Sequence, residues 1–284
     1  MVLLDAFPDS KAIVGMIHVG ALPGTPRHSG SMDSVLARVR EEARIYAEAG
    51  FDGLLIENMH DVPYLKGGVG PEITAAMTAA GVVARETWQD ARGGEIVPLG
   101  VQILAAANRE ALATALACGA AYVRVENFAY AHVADEGLMP TAEAGPLLRY
   151  RKQIGAEHIK IFADVKKKHS SHAITADVSL DEAARTAEFF GADALIVTGA
   201  ATGQPTAVED VATVRAAVRV PVAIGSGLTP RNLPTLWPHA NVFIVGSFLK
   251  RDGVWSNPID VERMGAFLDA VNELRKKATR ERGS

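Results

Sequence analysis

Short runs of aliphatic and β-branched residues alternate along the chain with longer Ala-, Leu- and Val-rich segments whose apolar positions recur at helical spacing. Eight such runs stand out: Ala12–His18, Asp52–Asn58, Val97–Leu104, Ala121–Glu126, Ile159–Asp164, Ala194–Thr198, Val220–Gly225 and Asn241–Gly246. A short apolar run followed by loop chemistry and then a helix marks a crossover unit, which joins parallel strands. Eight units predict one (β/α)8 barrel of the TIM type over residues 1–284, with strands inside and helices outside. Residues 1–11 read as an N-terminal extension and 275–284 as a charged, frayed tail.

Helix starts carry their own signals. Ser179 with Glu182, and Thr206 with Glu209, fit capping boxes, and Thr229 before Pro230 reads as a cap and first helical position. Met264, Phe267, Leu268, Val271 and Leu274 form an apolar stripe on the last helix. An open doubly wound sheet also alternates strand and helix, but the count of eight and the lack of an early Gly-x-Gly-x-x-Gly turn disfavour it. Gly67–Gly70 reads as a mobile loop entering a helix near Pro71. The connection Asn127–Met139 is long for a strand-to-helix loop and serves as lid or spacer.

A formal charge of −4 and 6% aromatic residues give no basis for general nucleic-acid binding. The lone Cys118 excludes an intrachain disulfide and reads as a small buried residue. No apolar run reaches membrane-spanning length and the first residues lack a signal-peptide pattern, so a cytoplasmic protein is expected. A homo-oligomer is the prior expectation for such a chain.

In a barrel of this kind the strand ends and the loops after them converge on one mouth. That makes Asp164, Lys166, Glu126 and Glu57 the candidates for proton transfer and charge stabilisation. Lys166 could instead form a Schiff base if desolvated, and the run Lys166–Lys168 could be a solvated basic loop. His18, Asn58, Asp61, Arg124, Lys160, His169 and Thr198 are candidate substrate contacts. Period-two alternation puts Arg124 and Lys160 inside the barrel, either as a buried salt-bridge layer or as ligand contacts. Gly225, Ser226, Gly227, Gly246 and Ser247 sit at the last two strand ends, where loop amides and helix N-termini can hold a phosphate. Mg2+ or Mn2+ could bridge carboxylates to that phosphate, the metal ligands being unassigned. His28, His60, His132 and His239 read as surface or loop residues, and Trp88, Trp237 and Trp255 as packing residues.

Five segments together resemble one family: GMIHVGALPGTP over residues 15–26, GLLIENMHDVPY over 53–64, YVRVEN over 122–127, ADVKKKH over 163–169 and IVGSF over 244–248. These resemble the BtpA/SgcQ proteins. The resemblance implies a TIM barrel with a small-molecule site and, for photosynthetic relatives, a role in photosystem I biogenesis; it supplies no established reaction. Two expectations follow. One is an enzyme, a lyase, isomerase or hydrolase, acting on a phosphorylated sugar or nucleotide-derived molecule; the other is a non-catalytic assembly or stability factor.

Overall fold

The computed structural model describes residues 11–199 and 205–282. Within them the chain forms β1 (Ala12–His18), α1 (Met32–Glu48), β2 (Gly53–Glu57), α2 (Pro71–Ala91), β3 (Leu99–Gln102), α3 (Asn108–Cys118) and β4 (Tyr122–Val125). Then come β5 (His132–Ala134), β6 (Gly137–Met139), α4 (Ala144–Gln153), β7 (Lys160–Asp164), β8 (Ser170–Ser171), α5 (Leu180–Phe189) and β9 (Ala194–Val197). The last elements are α6 (Val208–Ala217), β10 (Val222–Ile224), α7 (Leu233–Leu236), β11 (Val242–Val245) and α8 (Val261–Arg282). Eight of the strands close into a barrel in the order β1-β11-β10-β9-β7-β4-β3-β2, every pair parallel. The TIM-type fold read from the alternation is the fold found.

Both faces of these strands are buried, which is why they read as near-continuous apolar runs. Ile13, Ile17, Leu54, Ile56, Val123 and Val125 point outward into the layer under the helices. Val14, Met16, Leu55, Tyr122, Phe162 and Ile244 fill the interior. Tyr122 can lie across the barrel only because Gly100 beside it has no side chain: a Cβ there would come within 2.3 Å of the ring. The Tyr122 ring stacks on Phe162 at 4.3 Å and its hydroxyl donates to the Leu54 carbonyl at 3.0 Å, closing the floor beneath the mouth.

Several terminal signals resolve differently from expectation. Ser179 does cap α5, accepting from the Glu182 amide. Thr206 does not cap α6; its hydroxyl donates to the Ser226 carbonyl at 3.0 Å and ties two loops together. Thr229 accepts from the Asn232 amide in a turn, and α7 begins only at Leu233 and lasts one turn. The tail expected to fray from Arg275 continues as helix to Arg282, with Arg275 donating to the Lys11 carbonyl at 3.0 Å. The Gly67–Gly70 loop, expected to be mobile, is fastened by the Gly67 amide to the Ala105 carbonyl and by the Ala105 amide to the Leu65 carbonyl.

The long connection after β4 folds into structure of its own. β5 and β6 form an antiparallel hairpin, and β8, from the loop after β7, adds to its edge. Ala134 and Met139 of this hairpin pack against Met59, Leu104 and Trp255, apolar residues at the rim of the barrel. The segment therefore partly roofs the mouth.

Candidate active site

Register determines what faces the opening. His18, Glu57 and Gln102 pair across β1, β2 and β3 and form one inward-facing polar layer, one residue from each strand end. Arg124 and Asp164 complete it from β4 and β7, and Gly225 and Gly246 from the ends of β10 and β11. A Cβ on Gly246 would lie 3.1 Å from His18 Cε1, and one on Gly225 would lie 3.3 Å from an Arg124 nitrogen. The two glycines thus leave open the space beside the polar layer.

Two hollows that share lining residues occupy the mouth. The first, about 200 Å³, is bounded by His18, Glu57, Arg124 and Lys168 on one side and by Gly225–Thr229, Gly246–Phe248 and Arg263 on the other. The second, about 240 Å³, lies under the hairpin among Met59, Tyr64, Leu104, Trp255, Glu126 and Lys167. Glu57 and Lys168 are the residues that line both.

The buried charges are largely matched in pairs. Arg124 donates from Nε and Nη2 to the two oxygens of Asp164, both at 3.0 Å. Burial alone would lower the Arg124 pKa, and the Asp164 carboxylate reverses this and holds the guanidinium charged. Lys167 lies 3.2 Å from Glu126 and 3.6 Å from Glu136 on the hairpin turn. Against the penalty of burial, those two carboxylates raise its pKa. Glu126 also accepts from the Ala106 amide at 3.0 Å.

Glu57 and Lys168 are left over. Burial raises the Glu57 carboxyl, with Lys168 and Arg124 opposing. Burial lowers the Lys168 ammonium, and Arg124 adds to the effect. The Lys168 carbonyl accepts from the Ser170 hydroxyl at 3.3 Å, but its side-chain amine makes no hydrogen bond or ion pair with any described residue. The only ion-pair-range neighbour of Glu57 among the described residues is His18, whose Nε2 is 3.9 Å from the carboxyl. His18 is held well below its ordinary pKa by burial and by Lys250 and Lys168, so it is neutral. Its Nδ1 lies 3.1 Å from the Trp255 carbonyl, which can only accept, so the proton sits on Nδ1 and Nε2 presents a lone pair.

Several sequence-based assignments need correction. Lys166 is not in the mouth: its Nζ donates to the Val178 carbonyl at 2.8 Å, beside a separate small hollow behind the hairpin. Asp164 is not a free base, because Arg124 occupies both oxygens, and Glu126 is engaged by Lys167. Asn58 and Asp61 hold loops together. Asn58 accepts from the Leu104 amide, Asp61 accepts from the Leu22 amide, and the two side chains bond each other at 2.8 Å. Lys160 lies at the opposite end of its strand, paired with Asp193 at 3.3 Å. His169 is exposed at the rim, 3.6 Å from Asp135, and Thr198 packs beneath Gly225. The Gly225 amide is spent on the Val197 carbonyl. Directly after β10 and β11 stand only single turns, Leu233–Leu236 and Ser247–Leu249, whose dipoles supply little to an anion, and the long helix α8 begins only at Val261. Arg124, Lys168 and, from the first turn of α8, Arg263 are the cations that line the first hollow.

Residues missed in the sequence reading are Lys168, Arg263 and Trp255. Arg263 stacks on Phe248 at 4.5 Å and donates from Nε to its carbonyl. Trp255 packs against the apolar rim cluster, as a packing residue should, and also meets His18 and His60 edge to face. His132, expected at the surface, is 4% exposed. For Mg2+ or Mn2+ the fit is poor: no three His, Cys, Asp or Glu side chains among the described residues converge to hold a metal ion, and two of the mouth carboxylates already face cations.

The model of the BtpA family matches residues 9–273. The chain belongs to the BtpA family. Among its relatives, a Caenorhabditis elegans protein named as uncharacterized and mitochondrial is 46% identical over 267 residues, covering 93% of this chain and 94% of the relative. The Photosystem I biogenesis protein BtpA of Synechocystis is 34% identical over 282 residues, covering 99% of this BtpA-family chain and 95% of the relative. In fold, the chain is similar to thiamine phosphate pyrophosphorylase of Pyrococcus furiosus, with a TM-score of 0.54 at 15% identity, covering 93% of this chain and 96% of that one. No described helix of this BtpA-family member is long and apolar enough to cross a membrane.

Proposed function

We propose that this chain is an enzyme acting on a phosphorylated sugar or nucleotide-derived small molecule, as a lyase, isomerase or hydrolase, at the mouth of the barrel. In this reading the phosphate rests on the loops Gly225–Thr229 and Gly246–Phe248, with Arg263 and Lys168 supplying charge. Glu57, whose carboxyl burial pushes up, serves as acid, and Lys168, whose ammonium burial pushes down, as base or nucleophile. Environments that push an acid up and an amine down prepare both for proton transfer near neutral pH. The observation that carries the reading is that Glu57 and Lys168, whose charges no described partner matches closely, line both hollows.

Thermal shift against sugar phosphates, nucleotides and inorganic phosphate tests it. A ligand at a hundred times its Kd adds about 2.7 kcal/mol, which for a chain of this size raises Tm by about 5 °C. Gly246→Ala, which sends a methyl toward His18, should abolish the shift while leaving the unliganded Tm within about 2 °C, as expected of a modest change in packing. No response to any phosphate would sink the proposal.

A second reading, a non-catalytic assembly or stability factor, is favoured by the name of the Synechocystis relative. It predicts that Glu57→Gln with Lys168→Met leaves the biological function intact in a complemented host, whereas the enzyme reading predicts its loss. A cytoplasmic site of action remains our reading from the lone buried Cys118, and the worm relative's mitochondrial name makes fractionation the direct check.

A further inference from the structure

The two-hollow mouth has a division of labour that the general reading does not use. One hollow is edged by the glycine- and hydroxyl-bearing loops, by Arg263 and by the charged groups Arg124 and Lys168. The other is walled by Met59, Tyr64, Leu104 and Trp255 and closed above by the β5–β6 hairpin. A molecule spanning both would set its phosphate on the first side and an apolar or planar portion on the second. Its middle would lie against Glu57 and Lys168.

Lys168 is fitted for more than charge. The other cations in the polar layer are held by carboxylates: Arg124 by two bonds to Asp164, and Lys167 by Glu126 and Glu136. An amine meant only to balance charge would be held in the same way. Lys168 is instead presented unpaired to both hollows. Two left-handed residues, Lys166 at φ 48° and His169 at φ 54°, bracket the turn that presents it. Such conformations are uncommon for non-glycine residues and mark places where the chain is directed by its surroundings.

We propose that Lys168 is a covalent anchor: its Nζ forms an imine with the aldehyde or ketone carbon of a phosphorylated carbonyl compound whose phosphate rests on the Gly225–Thr229 and Gly246–Phe248 loops. This rests on the phosphate-site reading above and narrows its substrate class. The amine lone pair attacks the carbonyl carbon, forming the C–N bond while the C=O π electrons move to oxygen, which takes a proton. Nitrogen then loses a proton. The hydroxyl leaves as water with a proton from the Glu57 carboxyl, and the nitrogen lone pair closes the C=N bond. Water reverses each step and returns the free amine, so no oxidant or reductant is consumed. Burial, which lowers the Lys168 pKa, raises the fraction of free amine available for attack.

The test is reductive trapping on the full-length protein. The probe is glycolaldehyde phosphate, the smallest phosphorylated aldehyde, at neutral pH with sodium cyanoborohydride, followed by peptide mass spectrometry of every lysine. Unphosphorylated glycolaldehyde is run in parallel. The expected result is an adduct on Lys168 at least about tenfold above any other lysine, since each unit by which an amine's pKa falls gives about tenfold more free base at neutral pH. Millimolar inorganic phosphate should suppress it, and Lys168→Met should lack it while keeping its circular dichroism. Should Lys168→Met fold poorly, Lys168→Arg serves the same purpose. If phosphate raises Tm but labelling falls on exposed lysines and spares Lys168, the imine is overturned and the phosphate site stands. Equal labelling by both aldehydes, insensitive to phosphate, also overturns it. If neither labelling of Lys168 nor a phosphate response in Tm is seen, both readings fall together.

Discussion

The loop that carries Ser247 and Phe248 is fastened from behind by a buried ion pair, and breaking that pair has a calculable cost. Lys250 follows the turn directly, its side chain is 0% exposed, and its Nζ lies 2.6 Å from Glu42 of α1, itself 4% exposed. Arg38, one third exposed, reaches the other Glu42 oxygen at 3.6 Å and bonds the Ser256 carbonyl at 2.9 Å. Removing one member of such a pair leaves a buried charge uncompensated, which costs about 3–5 kcal/mol. In Lys250→Met the residual Glu42–Arg38 contact, partly in solvent, offsets about 1 kcal/mol of this at most. The net loss is then about 2–4 kcal/mol, read as a shift in the urea midpoint at constant slope. The double variant Glu42→Leu with Lys250→Met removes both charges and should recover most of the loss, ending near the parent or above it. Lys250 also depresses His18, so Lys250→Met should raise the His18 pKa, visible by NMR titration of the imidazole. A single variant within about 0.5 kcal/mol of the parent, or a double variant no better than the single, would refute the claim that the pair is desolvated and coupled.

Two other consequences concern the barrel floor and the hairpin. Gly100→Ala drives a methyl into the Tyr122 ring, which its stack on Phe162 and its hydrogen bond to the Leu54 carbonyl hold in place, so about 1–3 kcal/mol should be lost in urea unfolding; an unchanged midpoint would mean that Tyr122 has another position. His132, the first residue of β5, is lowered from 6.5 to about 4 by burial, then by His172 and Lys167. Because the folded state declines a proton that the unfolded chain accepts, its contribution is whole above pH ~6.5 and is lost as pH falls toward 4, by about 3 kcal/mol at most. His132→Phe should therefore lose less stability than the parent between neutral pH and about pH 4.5. Parallel losses in the two proteins would place the acid sensitivity elsewhere.

How far the sequence reaches depends on where alternation stops being a valid rule. Along a strand, successive side chains must point to opposite faces, so His18, Glu57, Arg124 and Asp164 could be assigned to the interior before any coordinates. Alternation says nothing about height, however. Lys160 shares a face with Asp164 and still lies at the wrong end of the barrel, paired with Asp193. Past the strand end it says nothing at all. Counting by twos from Asp164 selects Lys166, but Lys166 itself takes a left-handed conformation, the chain turns there, and Lys168 is delivered to the mouth instead. The same limit applies to Asn58 and Asp61. Their residue types suit ligand binding, and they were spent instead on the Leu104 and Leu22 amides, partners no spacing rule connects. The pairing of buried charges is likewise invisible in one dimension, because Arg124–Asp164 and Lys167–Glu126 join different strands and loops. Subtracting those pairs from the polar layer isolates Glu57 and Lys168, and that subtraction depends on distances. Catalytic candidates in such a mouth are therefore better sought among the charges left unmatched than among all the charges a sequence places there.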